Sequence, residues 1–516
     1  MNFYIRSLSL GCKLNQIESE SIAAKFTTAG FKIAKPGEGI PDGKVVLSII
    51  NTCTVTGKAE QKARHSIRDL LRQDPDSLVL VTGCYAQLEA EYLCNMDNRI
   101  LVVQGEKKGN LSELPGFLTL ETGGKLVSDD MENPCKFKSE FARIQSKIGE
   151  FPYLFKPGKN KASPETVIRE TFPAPDTAPP RKIRKNPPQK GKILLNSFKN
   201  DETAFNLSTD ELLFHSRASI KIQDGCNYRC SYCRICYARG SSVSLNHNEV
   251  VNRIQNLENK GWEEVVLTGV NLSLYKSGNL DFTGLLNLII QNTKKIMIRI
   301  SSLYPNYVDE AFLRVVSSPR IAPHFHLSIQ SGSERILKLM RRPHSAEEIF
   351  LAVENLRKVK DNPFLACDII TGFPGETEED FSETLEMCRK IKFSWIHGFP
   401  FSPRPGTEAW YMEPRIPQRT AGERLKILTK LALSDRKDYI SCCLNKTYSG
   451  IVETARKTGS CILTDNYLHC LVSGTQELKT GTRVSVRLKE NLLDTKPSGN
   501  FSLGDFDCSG DIEFFP

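Results

Sequence analysis

The sequence predicts an α/β protein. It should hold an N-terminal doubly wound parallel α/β domain, a central partial (β/α)6 barrel and a small C-terminal β-barrel. Three observations predict this. Strand-like and helix-like runs alternate over residues 1–105. A second alternating block begins near residue 217. After about residue 441 the chain turns to short strands broken by glycine. A length of 516 residues leaves room for about three domains.

In the first block, residues 3–10, 45–50, 78–83 and 100–105 read as strands. Residues 17–30, 58–73 and 86–93 between them carry helical periodicity. Alternation of this kind places helices on both faces of a parallel sheet. In the second block the candidate strands are residues 217–223, 264–270, 296–302, 325–330, 365–372 and 395–401. Helical patterns lie between them, as at 250–261 and 378–392. Six β/α units fall two short of a closed eightfold barrel, and the functional end should be the carboxyl ends of the strands. The last block reads YSGIVET, CILTDNYLHCLVSG and GTRVSVRLKE, in the style of small nucleic-acid-binding barrels. No internal repeat is visible.

Composition narrows the class. Hydrophobic residues make up 40% and charged residues 25%, as in a globular protein with a real core. No apolar run approaches the ~20 residues of a membrane helix, so no membrane partner is expected. Arg6 interrupts the only apolar stretch at the N-terminus, and no cleavage-type segment follows. A secretory signal is therefore not expected, and the protein is read as cytoplasmic. Sixteen cysteines in such a chain suggest thiolates and metal sites rather than disulfides. The net charge is +9, but residues 156–199 alone hold 11 Lys and Arg against 3 Asp and Glu, with eight Pro. That stretch reads as a semi-extended linker or insertion, and equally as a basic arm for nucleic acid. The expected division is 1–129, a basic Pro-rich connection at 130–208, a barrel at 209–440 and a terminal module at 441–516.

Two cysteine constellations stand out. DGCNYRCSYC (224–233) places Cys226, Cys230 and Cys233 as CxxxCxxC directly after a strand. Three thiolates on one short loop suit a four-iron cluster with one iron free of protein ligand. A zinc site completed by Cys236 is the alternative. The second set is dispersed: Cys12 in LGCKLNQIESE, Cys53 in NTCTVTGKAEQKAR and Cys84 in TGCYAQ. Each follows a candidate strand of the first block. In an open parallel sheet the crevice beyond the strand carboxyl ends binds ligands, so the three point into one crevice. Three unrelated core cysteines are the other reading. Cys94 and Cys135 lack this placement.

With Tyr232 just before its last Cys, the CxxxCxxC loop resembles the radical S-adenosylmethionine (SAM) superfamily. GCxxNxxxSE, NTCxVT, TGCYAQ, QDGCNYRCSYC and YARG (237–240) together resemble the methylthiotransferase family within it, over residues 1–105 and 209–516. The resemblance implies a 4Fe–4S cluster on Cys226, Cys230 and Cys233 that binds and cleaves SAM to a 5′-deoxyadenosyl radical. It implies a second 4Fe–4S cluster on Cys12, Cys53 and Cys84 that handles the added sulfur, with SAM also the methyl donor. GCKLNQIESE, with Lys13 and Gln16, is most similar to the branch acting on N6-threonylcarbamoyladenosine in tRNA. The alternatives are the same chemistry on N6-isopentenyladenosine or on a ribosomal-protein aspartate, and a non-catalytic zinc-stabilised RNA-binding protein.

The resemblance also implies SAM contacts at Tyr232, Gly269, Gln330, Ser331, Gly372 and Gly375. It implies a TRAM-like RNA-binding terminal barrel, with Lys446, Arg456, Lys457, Arg483, Arg487 and Lys489 as candidate phosphate contacts. The partners it implies are a tRNA anticodon loop, an electron donor such as flavodoxin or ferredoxin, and a sulfur source. His324 and His326, two apart on one strand, read as core histidines, with a two-His metal site as the alternative. Two departures from the family pattern stand out. Arg234-Ile235-Cys236 replaces the usual Ile-Ile-Pro, and the connection at 130–208 is long.

Overall fold

The computed structural model describes residues 2–119, 134–157, 202–207, 216–455, 459–473, 478–493 and 505–513. All but two residues of the basic segment 156–199 lie outside these, as do Arg456 and Lys457. Contacts gather the chain into two compact units. One holds residues 1–213, 225–242 and 402–411. The other holds 214–224, 243–401 and 412–516. These units cut across the expected domain division, and the reason is local. The loop 225–242 and the loop 402–411 make their hydrogen bonds and ion pairs with the N-terminal domain.

The first unit is built on a five-stranded parallel sheet. Its strands are β1 (Asn2–Ser9), β2 (Lys32–Ala34), β3 (Gly43–Thr52), β4 (Leu78–Gly83) and β5 (Ile100–Val102), in the order β2-β1-β3-β4-β5. In β3, GKVVLSIINT, the last eight residues are all buried, as expected of a central strand covered on both faces. Helix α1 (Lys13–Thr28) follows β1, and helix α2 (Gly57–Gln73) follows β3. Thr56 caps α2 by accepting from the Ala59 N–H, and Ala63, Ile67, Leu70 and Leu71 form its buried stripe. The expected helix at 86–93 is two five-residue helices, α3 (Cys84–Leu88) and α4 (Ala90–Cys94), broken at Glu89. The edge strand β2 was not expected: three residues are too short to show a period.

In the second unit six parallel strands pair in chain order: Ala218–Lys221, Glu264–Thr268, Met297–Leu303 interrupted at Ser301, His324–Gln330, Phe364–Thr371 and Trp395–Pro400. This is the expected incomplete barrel. Helices cross between strands, and two carry full capping boxes, Ser345 with Glu348 and Thr377 with Asp380.

The terminal module is a closed five-stranded barrel, of strands Thr447–Thr454, Ser460–Thr464, His469–Val472, Arg483–Asn491 and Cys508–Glu513. It does not stand alone. Its core of Val452, Ile462, Cys470, Val486, Leu488 and Cys508 is continuous with Phe364 and Ala366 of the partial barrel and Ile440 of the helix Gln418–Cys443. A buried ion-pair set reinforces the join. Glu264 accepts from Arg299 at 2.8 and 2.9 Å and from Arg217 at 3.2 Å, and Arg217 also reaches Glu453 at 3.0 Å. Among the described residues no helix is long and apolar enough to cross a membrane.

Candidate metal centres

The dispersed cysteines converge because of register. Ser9 of β1 pairs with Asn51 of β3, and Thr52 of β3 pairs with Gly83 of β4, so three adjacent strands end at one level. Cys12, Cys53 and Cys84 each come within three residues of those ends. Cys12 is the N-cap of α1, where the helix dipole favours an anionic sulfur. Gly11, at φ +96°, lies so close to Cys53 that a Cβ there would stand 2.8 Å from its sulfur. Any larger residue would push the two cysteine loops apart. Asn15, one turn into α1, ties the same loops by donating to the carbonyls of Leu10 at 2.8 Å and Thr52 at 3.1 Å.

The electrostatics of the triad favour a nearby positive charge. Burial pushes the Cys53 thiol up to about 12, and the nearby Cys84 and Cys12 sulfurs add to the rise. Three neighbouring thiolates cannot all be charged here without positive charge to hold them. One such charge is built in. Arg239 donates its Nε–H to the Cys84 sulfur at 3.2 Å, while its Nη2 donates to Asn15 Oδ1 at 2.7 Å. Glu18, fully buried, holds Arg239 at 3.3 Å and Lys108 at 2.7 Å.

Arg239 belongs to the other cysteine segment. Cys226, Cys230 and Cys233 lie on the loop that leads into the short helix Ile235–Arg239. Burial and then the Cys230 charge raise the Cys233 thiol, with Cys236 and Cys226 adding to it, so these sulfurs also cluster. The Cys236 Sγ–H contacts the Cys233 carbonyl at 3.9 Å. Tyr232 is half-buried beside the last ligand. The loop is anchored through Glu60 in the first turn of α2. That carboxylate binds Arg404, reaches Arg234 at 3.4 Å and accepts from Thr54 at 2.5 Å. Ser402 Oγ accepts the Gly57 N–H at 3.0 Å, and the Ser231 carbonyl accepts the Ala409 N–H at 2.7 Å. Arg234, a departure from the family pattern, is thus an anchoring residue.

Among the described residues no group of three or more His, Cys, Asp or Glu is drawn up around a single ion position. The donor chemistry of both triads fits a larger group. Each offers three soft thiols, the ligands that hold iron–sulfur clusters, and so leaves one iron for another ligand. All fifteen cysteines whose side chains are described are free thiols.

The remaining candidates lie in the second unit, and the structure sorts them. Gln330 ends its strand at φ +83°, a conformation rare for a side chain bearing a Cβ and common at functional sites. Gly269 abuts Gln223, whose Oε1 a Cβ would meet at 2.8 Å. Gly375 has φ +78°, a Cβ there would touch only Leu339 Cδ1 at 4.0 Å, and its N–H donates to the Pro414 carbonyl at 2.8 Å. Ser331 and Gly372 also have packing partners of their own. Ser331 is 1% exposed, and its hydroxyl bonds Thr384 Oγ1 and accepts the Ser333 N–H, bracing the β–α turn. Gly372 is required by Ala421 of the helix Gln418–Cys443, whose Cβ lies 2.4 Å from where its own would be. On the terminal barrel, Arg487 and Lys489 make exposed ion pairs with Glu513 and Asp511, and Arg483 pairs with Glu263. His324 stacks on Tyr467 at 4.1 Å in the core, as expected, but His326 pairs with Asp368.

Asn15, Glu18, Lys108, Arg239 and Arg404 were not singled out from the sequence. Asn15 and Glu18 do sit inside the quoted motif GCKLNQIESE, and Arg239 inside YARG. Lys108 and Arg404 carry no local signal, because their partners are distant in sequence.

A partial (β/α)6 barrel with CxxxCxxC after its first strand, joined to a sheet whose strand ends gather a second cysteine triad, defines a radical SAM enzyme with two cluster sites. Residues 220–388 match the radical SAM superfamily, and residues 3–105 match the uncharacterized protein family UPF0004. The threonylcarbamoyladenosine tRNA methylthiotransferase MtaB of Treponema pallidum is 44% identical over 94% of this chain and 98% of its own. That of Aquifex aeolicus is 31% identical over 93% and 98%. The tRNA-2-methylthio-N(6)-dimethylallyladenosine synthase of Erythrobacter litoralis is 26% identical over 88% and 87%. The chain belongs to the radical SAM methylthiotransferase family, in its MtaB branch, and its cofactors are two 4Fe–4S clusters and SAM.

Proposed function

We propose that this enzyme adds a methylthio group to C2 of N6-threonylcarbamoyladenosine at position 37 of tRNA, in the cytoplasm. The observation that carries the substrate is the 44% identity, across nearly the whole of both chains, to a relative named for it, against 26% to one named for the dimethylallyl nucleoside. In this reading Cys226, Cys230 and Cys233 hold the SAM cluster, and Cys12, Cys53 and Cys84 hold the auxiliary cluster. When bound, the first cluster supplies reductive cleavage of SAM to a radical that takes hydrogen from C–H bonds, and the second supplies the site of sulfur transfer.

The chain's own residues position and shield. Glu60, Arg404 and Arg234 fix the SAM-cluster loop in place. Asn15, Glu18 and Arg239 fix the auxiliary crevice. Tyr232, Gly269, Gln330, Ser331, Gly372 and Gly375 are the proposed SAM contacts, with Gln330 held at a strained positive φ at its strand end. An anticodon-loop adenosine suits such an enzyme, because loop bases can be splayed out and extruded into a pocket. The terminal barrel and the basic segment 156–199 are the proposed auxiliary RNA contacts. An electron donor such as flavodoxin or ferredoxin and a sulfur source complete the set of partners.

The test is mass spectrometry of tRNA nucleosides from a strain lacking the gene. Loss of the 2-methylthio derivative of threonylcarbamoyladenosine is expected. Persistence of that nucleoside, with loss of the isopentenyl counterpart, would move the enzyme to the other tRNA branch.

A further inference from the structure

Helix α2 holds more than the SAM-cluster loop. Thr54, Tyr85 and Arg234 stand directly after Cys53, Cys84 and Cys233, and all three side chains reach the first two turns of α2. The Thr54 hydroxyl donates to Glu60 Oε1 at 2.5 Å, and Arg234 Nη1 donates to the same oxygen at 3.4 Å. Arg64 Nη1 donates to the Tyr85 hydroxyl at 3.0 Å. Glu60 and Arg64 are four residues apart, so they share one face of the helix. All of these residues lie within the first compact unit.

Arg404 closes the set. Its Nη2 donates to Glu60 Oε1 and, at 3.2 Å, to the Thr54 hydroxyl. One carboxylate oxygen therefore takes donors from three segments. Thr54 and Arg404 are buried, and the Glu60 and Arg234 side chains keep only 13% and 11% exposure. Charge-assisted bonds in so dry a place are strong, and removing their acceptor is costly. Without Glu60, Arg404 and Thr54 would lose the acceptor they share, and Arg234 would fall back on Glu89 at 3.6 Å. The short helix Ile235–Arg239 is tied at both ends. Its N-cap Arg234 binds Glu60, and its last residue Arg239 binds Cys84.

We propose that Glu60 is a positioning residue that sets the relation between the two cluster sites, and that methylthio transfer depends on it more than SAM cleavage does. The inference rests on the cluster assignment above and adds what couples the two sites. Cleavage of SAM needs one site alone, whereas transfer needs a substrate carbon activated at one site to meet sulfur at the other. Misplacing reacting groups by about 1 Å costs up to roughly 100-fold in rate. The cysteines do not themselves fix this relation, since one triad sits at the strand ends of the first sheet and the other on the loop 226–233. Glu60 joins the residue after a ligand of one triad to the residue after a ligand of the other. A carboxylate suits the task, because it only accepts and has lone pairs for several donors at once.

The test compares cluster-loaded wild type with Glu60→Gln, Glu60→Asp and Thr54→Val, all at full iron and sulfide. Cys53→Ala and Cys226→Ala serve as references that keep one cluster each. The electron paramagnetic resonance spectrum of reduced wild type is expected to be broader than the sum of the references, through magnetic interaction between the two sites. Glu60→Gln should change that interaction and lower the methylthio product formed per 5′-deoxyadenosine by roughly 10–100-fold. Glu60→Asp, which keeps the charge on a shorter stem, should recover part of the ratio. Thr54→Val cuts one tie and keeps every charge, so it should lower the ratio less, and it gives the reading if Glu60→Gln folds poorly. Loosened packing alone would lower both products together and leave the ratio unchanged. An unchanged ratio and unchanged interaction would overturn the positioning role and leave the cluster assignment intact. References that keep all their iron would overturn both.

Discussion

Arg239 donates its Nε–H to the Cys84 sulfur at 3.2 Å, although 155 residues separate them. Both are nearly out of contact with water, at 6% and 3% exposure. The helix that starts just after one cysteine triad therefore supplies a cation to the other. Hydrogen bonds to ligand sulfur, and nearby positive charge, favour the reduced and more negative state of an iron–sulfur centre. In a background where Cys226, Cys230 and Cys233 are all alanine, only the auxiliary cluster remains. There, Arg239→Gln should lower the midpoint potential followed by electron paramagnetic resonance, and Arg239→Lys should lower it less. An unchanged midpoint at full iron loading would reduce Arg239 to packing.

The two triads should separate by chemistry. Cys226→Ala is expected to abolish 5′-deoxyadenosine formation from SAM and to halve the bound iron. Cys53→Ala should halve the iron but leave SAM cleavage and stop methylthio transfer. Iron and acid-labile sulfide assays with product chromatography read both. Continued 5′-deoxyadenosine formation in Cys226→Ala would remove the assignment.

Glu264 should govern acid stability of the second unit. Burial opposes its ionisation, but Arg299 and Arg217 win and hold its pKa at about 2, against an ordinary value of 4.5. A group lowered on folding stabilises above its unfolded pKa, and that stability is lost as pH falls through the folded value. Glu264 thus contributes about 3 kcal/mol at neutral pH, declining below about pH 4.5 and gone near pH 2. Glu264→Gln leaves two buried cations without their carboxylate and should cost about 3–5 kcal/mol at pH 7. Denaturant melts across pH should show the variant with a flatter acid limb.

Gly372 and Gly375 should respond differently to alanine. Both have positive φ, near +74° and +78°. Gly375→Ala meets only Leu339 at an ordinary contact distance and should cost only the backbone penalty, about 1–2 kcal/mol. Gly372→Ala also strikes Ala421 and should cost about 1–3 kcal/mol more, with the helix Gln418–Cys443 displaced. Equal melting shifts would contradict the packing role given to Gly372.

Much of the architecture was legible in residue order. β-prone runs such as VVLSII and LVLVTG announce buried strands because a parallel strand covered on both faces must be apolar throughout. CxxxCxxC is a local motif, so its spacing alone brings three sulfurs together. Cys12, Cys53 and Cys84 were legible for a different reason: each follows a strand, and neighbouring parallel strands end together. The Ser331 bond to Thr384 was not legible, because 53 residues separate the two hydroxyls. His326 is a satisfied histidine, as expected, but its partners were not legible. Its partner Asp368 is 42 residues away, and only the register of two strands sets them side by side.

The sequence by itself determined the strand–helix order, the two cysteine triads and the family, since these reside in period, spacing and motif. Tertiary structure alone decided the ion pairs that tie them together. Arg239 on Cys84, Arg404 and Arg234 on Glu60, and Arg299 on Glu264 each join segments tens to hundreds of residues apart. A charge has no sequence period that names its partner. Desolvation makes the pairing obligatory only once the fold has buried both ends.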